Sequence, residues 1–130
     1  MSKNYLELKD LEVYQLSREL SKLGWDIYQP LSFENKKLMG DQFMRAIDSV
    51  GANVAEGYGR YYYLDKVRFY YNSRASLMEA CEHWLELLHE REILSSEQFE
   101  NVKKLYKKVQ VKLNNLITTT YRQNQKEKKG

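Results

Sequence analysis

Apolar residues recur at three- and four-residue spacing along most of the chain, the period of one face of an α-helix. Val13, Leu16, Leu20, Leu23 and Ile27 mark a first helix, opened by Asp10 as N-cap and closed before Pro30. Met39, Phe43, Ile47, Val50 and Val54 mark a second, starting near Asn35, with Gly57 placed for a left-handed C-terminal cap. A third helix, from about Leu64 to Arg91, carries Val67, Tyr71, Arg74, Met78, Cys81, Leu85 and Leu88 along one face. A fourth opens at Ser95 or Ser96 and continues through Phe99, Val102, Leu105, Val109, Leu113, Leu116 and Tyr121. No alternating apolar run bounded by turn signals predicts a strand. Short connections make neighbouring helices antiparallel, so the pattern predicts an all-α, up-down antiparallel four-helix bundle over 1–121, followed by a disordered basic tail over 122–130.

The polar positions separate the helices into two kinds. The fourth is one-sided, with Lys103, Lys104, Lys107, Lys108 and Lys112 opposite its apolar arc. The second and third carry small, apolar or sparse polar residues where a solvent face would be dense in Lys and Glu. On the second these are Arg45, Ser49, Ala52 and Glu56; on the third, Phe69, Ser73, Ser76, Ala80, His83 and Leu87. Small side chains let backbones approach closely, so these faces predict a homo-oligomer joined through Ser49, Ala52, Phe69, Ser73, Ser76, Ala80 and Leu87.

Composition narrows the picture further. A chain of 130 residues is one domain able to bury its own core. A lone cysteine fits a reducing compartment, and no apolar run resembles a signal peptide or membrane span, so the expectation is a cytoplasmic protein with no membrane partner. The net charge of +3 is unevenly placed: residues 101–130 hold nine Lys/Arg and one acid, a net +8, against −5 for the first hundred. That asymmetry points to a polyanionic partner.

Gly57-Tyr58-Gly59-Arg60 follows a helix rather than a strand and lacks the lysine and third glycine of a phosphate loop, so it reads as a turn. Tyr58, Tyr61, Tyr62 and Tyr63 either stack on bases or cover one end of the bundle. Arg74, set on an apolar stripe, needs a partner, and Arg45, Asn53, Glu56 and Glu79 are the candidates for a buried structural network with it. His83, Glu86 and His89 offer a single Glu-x-x-His without a second copy, and Cys81 lies on the core stripe. No nucleophile–base pair or metal set converges, so the expectation is a non-enzyme without cofactor, metal or small-molecule substrate.

The stretches QFMRAIDSVGANVAEGYGR and NSRASLMEACEHWL resemble the four-helix-bundle family encoded by intervening sequences inside bacterial 23S rRNA genes. The motif is Arg45-Ala46, Ser49-Val50 and Asn53-Val54-Ala55-Glu56-Gly57, with Ser76, Leu77 and Glu79 following; the likeness extends over roughly residues 10 to 120. The chain departs from that pattern at Met44, where a first arginine is frequent, and at Glu34, where a proline usually follows the phenylalanine. The resemblance implies a bundle often assembled as a ring-like homopentamer, with nucleic-acid binding as its usual suggested role. It also implies a shared fold with the accessory proteins of diversity-generating retroelements, basic pentamers that work with a reverse transcriptase and RNA.

The expected function is therefore a non-enzymatic oligomer that binds RNA or other nucleic acid through a basic face. The candidate binding residues are Lys103, Lys104, Lys107, Lys108 and Lys112, with Arg60, Tyr61 and Tyr62 at the corner after the second helix. The alternative is a structural or adaptor protein whose oligomer binds only protein.

Overall fold

The computed structural model describes residues 6–129. Residues 1–5 of the expected domain and Gly130 of the expected tail lie outside that range. A 3₁₀ turn, Leu8–Asp10, leads into four helices among the described residues: α1 (Glu12–Tyr28), α2 (33–58), α3 (63–90) and α4 (Ser96–Lys129). No strand occurs in this range, and no helix in it is long and apolar enough to cross a membrane. Each helix packs on its sequence neighbours and α1 packs on α4, so the four close into a bundle.

Local signals account for three of the helix ends. Ser32 caps α2, its Oγ accepting the Asn35 N–H at 3.0 Å, so that helix begins two residues before the expected Asn35. Ser95 and Gln98 form a reciprocal capping box at the start of α4: Gln98 N–H donates to Ser95 Oγ at 3.1 Å, and Ser95 N–H to Gln98 Oε1 at 3.0 Å. At the end of α3, Ile93 N–H bonds to Leu88 O and Glu92 N–H to His89 O, with Glu92 at φ 56° in the left-handed region usually given to glycine. Asp10 does not cap α1; it sits in the 3₁₀ turn, and Leu11 precedes the helix without a side-chain cap.

The core stripe of α2 is as the periodicity predicts: Met39, Phe43, Ile47, Val50 and Val54 are all buried. That of α3 is not. Tyr71, Arg74 and Met78 are exposed, and Tyr70, Ser73, Leu77 and Ala80 take the core positions, while Cys81, Leu85 and Leu88 are buried as expected. A π turn over Glu79–Trp84, where Leu85 N–H bonds to Ala80 O, inserts one extra residue into the helix. A stripe projected back at constant pitch from Leu88 and Leu85 therefore falls one residue off upstream of the turn. Adjacent apolar pairs, Tyr70–Tyr71 and Leu77–Met78, let the wrong register look acceptable.

Small residues set the helix spacing. Ser17 and Gly24 of α1 are buried against α2, and Ser73 of α3 donates from Oγ to Val50 O of α2 at 2.7 Å. Gly57 does not form a left-handed cap. It is helical and buried, and a Cβ there would lie 2.7 Å from Tyr70 Cε1 and 3.0 Å from the Lys66 carbonyl oxygen. At Gly51 the same atom would meet only Ser17 Cβ, at 3.4 Å, and Tyr14 Cε1, at 3.9 Å. Opposite signs should follow for the two alanine substitutions. Gly51→Ala should gain up to about 1 kcal/mol from helix propensity. Gly57→Ala should lose about 1–2 kcal/mol net, because overpacking a buried ring outweighs that gain. Thermal melts followed by circular dichroism would check both signs.

The expected disordered tail is also revised, since α4 stays helical to Lys129. Thr120 is buried and Asn124 half-buried, so the inward-facing stripe runs on in polar residues.

Candidate nucleic-acid interface

The five lysines of α4 do not form one free face. Lys103 is largely enclosed: its Nζ lies 2.6 Å from Glu82 Oε1 and 2.5 Å from Glu86 Oε2, both on α3. Tyr106 also donates to Glu82, at 3.2 Å. Burial pulls the Lys103 pKa down, but the two carboxylates outweigh it and hold the ammonium above its usual range. Glu82 is held below the usual carboxylate range, chiefly by the Lys103 hydrogen bond. Lys112 reaches Glu12 of α1 at 3.1 Å. Lys104, Lys107 and Lys108 are exposed and make no ion pair among the described residues.

Lys103 is thus a helix-pairing residue, and Lys103→Met should cost about 1 kcal/mol near neutral pH. The Glu82 contribution is present above its unfolded pKa, about 4.3, and lost as pH falls through the lower folded value. The Lys103 contribution is present below about 10.4 and lost as pH rises through the higher folded value. Melting midpoints of wild type and variant should therefore differ at pH 7 and converge in strong acid and strong base.

At the opposite edge of the site, the α2–α3 corner carries the tyrosines. The N–H groups that a phosphate loop would need are already used: Gly59 bonds to Ala55 O and Arg60 to Gly57 O, both at 3.1 Å. Arg60 pairs with Glu56 at 3.0 Å, and its guanidinium lies 4.6 Å from the centroid of the Phe69 ring. Tyr58 is half-buried, donating to the Leu6 carbonyl and accepting at its own carbonyl from Lys66 Nζ at 2.8 Å. Burial lowers the Lys66 pKa. Tyr63 is half-buried, whereas Tyr61 and Tyr62 stand 86% and 68% exposed. Their rings meet edge to face, with centroids 5.0 Å apart. Together with Gln123, Asn124 and Glu127 of α4, the corner bounds a cleft of about 810 Å³.

The expected buried polar network does not assemble within the subunit. Arg74 is exposed, donates to Asn114 Oδ1 at 3.1 Å and lies over the Tyr71 ring. Glu79 accepts from Trp84 Nε1 at 2.9 Å, Glu56 holds Arg60, and Asn53 donates to Ser49 O at 2.9 Å. Arg45 points outward, its carbonyl accepting from Ser49 Oγ at 2.7 Å. Arg74 left the core because the α3 register differs by one residue there.

Two of the expected subunit-contact residues belong instead to the subunit's own interior. Ser73 and Ala80 are fully buried, for the same reason of register. Phe69, Ser76, Leu87 and Ser49 are half-buried, and Ala52 is exposed. What the periodicity missed is an exposed strip on α3: Leu64, Tyr71, Ala75 and Met78. Their spacing of seven, four and three residues, two turns and then one turn each, was the available signal.

The residues considered for a metal separate as well. His89 stacks on Phe99 with centroids 3.9 Å apart, His83 meets Trp84 edge to face, and Glu86 is engaged by Lys103. Burial pushes the Cys81 thiol up to about 12, far from the thiolate a nucleophile or ligand requires.

Comparison with known proteins bears on most of the chain. A family model described as the 23S rRNA-intervening sequence protein matches residues 9–115. A solved structure of a protein with unknown function from the S23 ribosomal protein family of Bacteroides thetaiotaomicron VPI-5482, at 1.70 Å resolution, is similar with a TM-score of 0.77. Its sequence is 27% identical, over 85% of this chain and 98% of that one. No curated relative matches.

Proposed function

The chain belongs to the 23S rRNA-intervening sequence protein family, and from that premise we propose that it is a non-enzymatic protein that binds nucleic acid through phosphate contacts on α4. The observation that carries this reading is the outward display of Lys104, Lys107 and Lys108 without an ion pair among the described residues. No Asp or Glu occurs between Glu100 and Glu127, so the same face of α4 holds no acid to neutralise them. A face meant only for solubility normally alternates signs. The family's name adds RNA as the first candidate. Lys103 and Lys112 support the helix packing and are outside the contact set.

Self-assembly is part of the proposal, with the pentamer number taken from the family resemblance and the contact moved to the exposed α3 strip. Leu64, Tyr71 and Met78 there are 49%, 38% and 54% exposed, and Val111 of α4 is 57% exposed. These apolar positions also favour the second reading, an adaptor whose oligomer binds only protein. An anisotropy titration with duplex RNA and duplex DNA at low salt separates the two. Binding of either supports the nucleic-acid reading, and binding of neither leaves the adaptor.

A further inference from the structure

We propose that the cleft at the α2–α3 corner is a base-stacking site for single-stranded nucleic acid. This inference rests on the nucleic-acid reading above but uses a different set of residues. Covering the bundle end would bury aromatic rings, and Tyr58 and Tyr63 do so in part. Tyr61 and Tyr62 do not: the two rings stand largely in water and meet each other edge to face. That arrangement presents ring faces in two directions, and a flat base can lie on one while the other borders its edge.

The rest of the cleft suits the same ligand. Gln123 and Asn124 each offer an amide with both donors and acceptors, the groups that meet base edges. Arg122 and Lys126 line the adjoining surface of α4 and give phosphates a positive track, whereas Glu127 on the cleft rim directs the backbone to their side. A volume of about 810 Å³ lies within the usual span of ligand clefts, about 300–1,000 Å³. Bases inside a duplex are already stacked on each other and do not reach such rings, so the chemistry selects unpaired strands. A sugar-phosphate backbone of either kind fits that description, and the two sources are separated by the probes.

The test uses fluorescent oligo(U) and oligo(dT) of about twelve nucleotides, and a duplex of the same length, on the full chain. Tyr61→Ala/Tyr62→Ala should weaken single-strand binding by at least about 30-fold while leaving duplex binding unchanged. Tyr61→Phe/Tyr62→Phe should retain single-strand binding, because stacking needs the ring and not the hydroxyl. Both positions are exposed, and an unchanged melt confirms that the variants fold. Single-strand binding insensitive to the alanines overturns the inference while the lysine-dependent duplex binding leaves the proposed function standing. A wild-type chain that binds no probe overturns both. Loss of self-association in the alanine variant, seen by light scattering with no change in single-strand affinity, would assign the rings to a subunit contact and overturn the inference.

Discussion

Ala80→Glu should strongly destabilise the subunit, whereas Met78→Glu, two residues away, should leave the fold intact. Ala80 is fully buried within the α3 π turn, beside Cys81 and Leu77 in the core. A glutamate there must place one more methylene and a carboxylate in close-packed apolar surroundings. Overpacking and an unpaired buried charge together cost at least about 4–5 kcal/mol. Total stability is only about 5–15 kcal/mol, so the melting midpoint should fall by at least about 10–15 °C, or the transition should vanish. Met78 is 54% exposed on the outer strip, and its replacement should leave the midpoint within a few degrees. If the strip joins subunits, Met78→Glu should instead reduce the assembly to a species of 15.6 kDa by light scattering. A chain with Ala80→Glu that melts like wild type but dissociates would mean that Ala80 faces a neighbouring subunit and that the α3 register is wrong.

Those two residues also mark what the sequence can and cannot reveal. In α2 periodicity alone places Met39, Phe43, Ile47, Val50 and Val54 in the core, although Leu38 and Met44 lie beside that stripe. In α3 two neighbouring arcs both carry large apolar residues, and the π turn shifts the pitch between them. Nothing in EACEHW announces that turn, because the extra residue is accommodated by packing rather than by a proline or glycine. Gly57 illustrates the same limit. A glycine near a helix end reads as a cap from local rules, but its role here comes from Tyr70, thirteen residues away on α3. The lysine face was legible as a helix arc, since side-chain direction follows from spacing. Which lysines are occupied was not, because Glu82, Glu86 and Glu12 are brought to them only by the tertiary fold. The extension of α4 past Tyr121 escaped detection because its inward residues, Thr120 and Asn124, are polar.

Charge reversal of Lys104, Lys107 and Lys108 to Glu should abolish nucleic-acid binding at moderate salt while leaving the melt unchanged. The three side chains are exposed and outside every ion pair among the described residues; Lys107 acts on Glu82 only at longer range, so their loss breaks no close pairing within the subunit. Each phosphate neutralised by a lysine releases condensed counterions, giving a log-log slope of affinity against salt of about −0.9 per duplex phosphate. A single subunit contributing three lysines should therefore show a slope of about −2.7, and an oligomer engaging one duplex with several subunits a proportionally steeper one. The reversed chain repels the same phosphates, so its residual binding should be confined to the lowest salt. Phosphates carry no sequence information, and duplexes of unrelated sequence should titrate alike. Lys103→Glu is the contrasting control: it should lower the melting midpoint by setting a third carboxylate against Glu82 and Glu86. Unaltered affinity in the triple variant would show that the phosphate contacts lie on another face, with Arg122 and Lys126 the next positions to reverse.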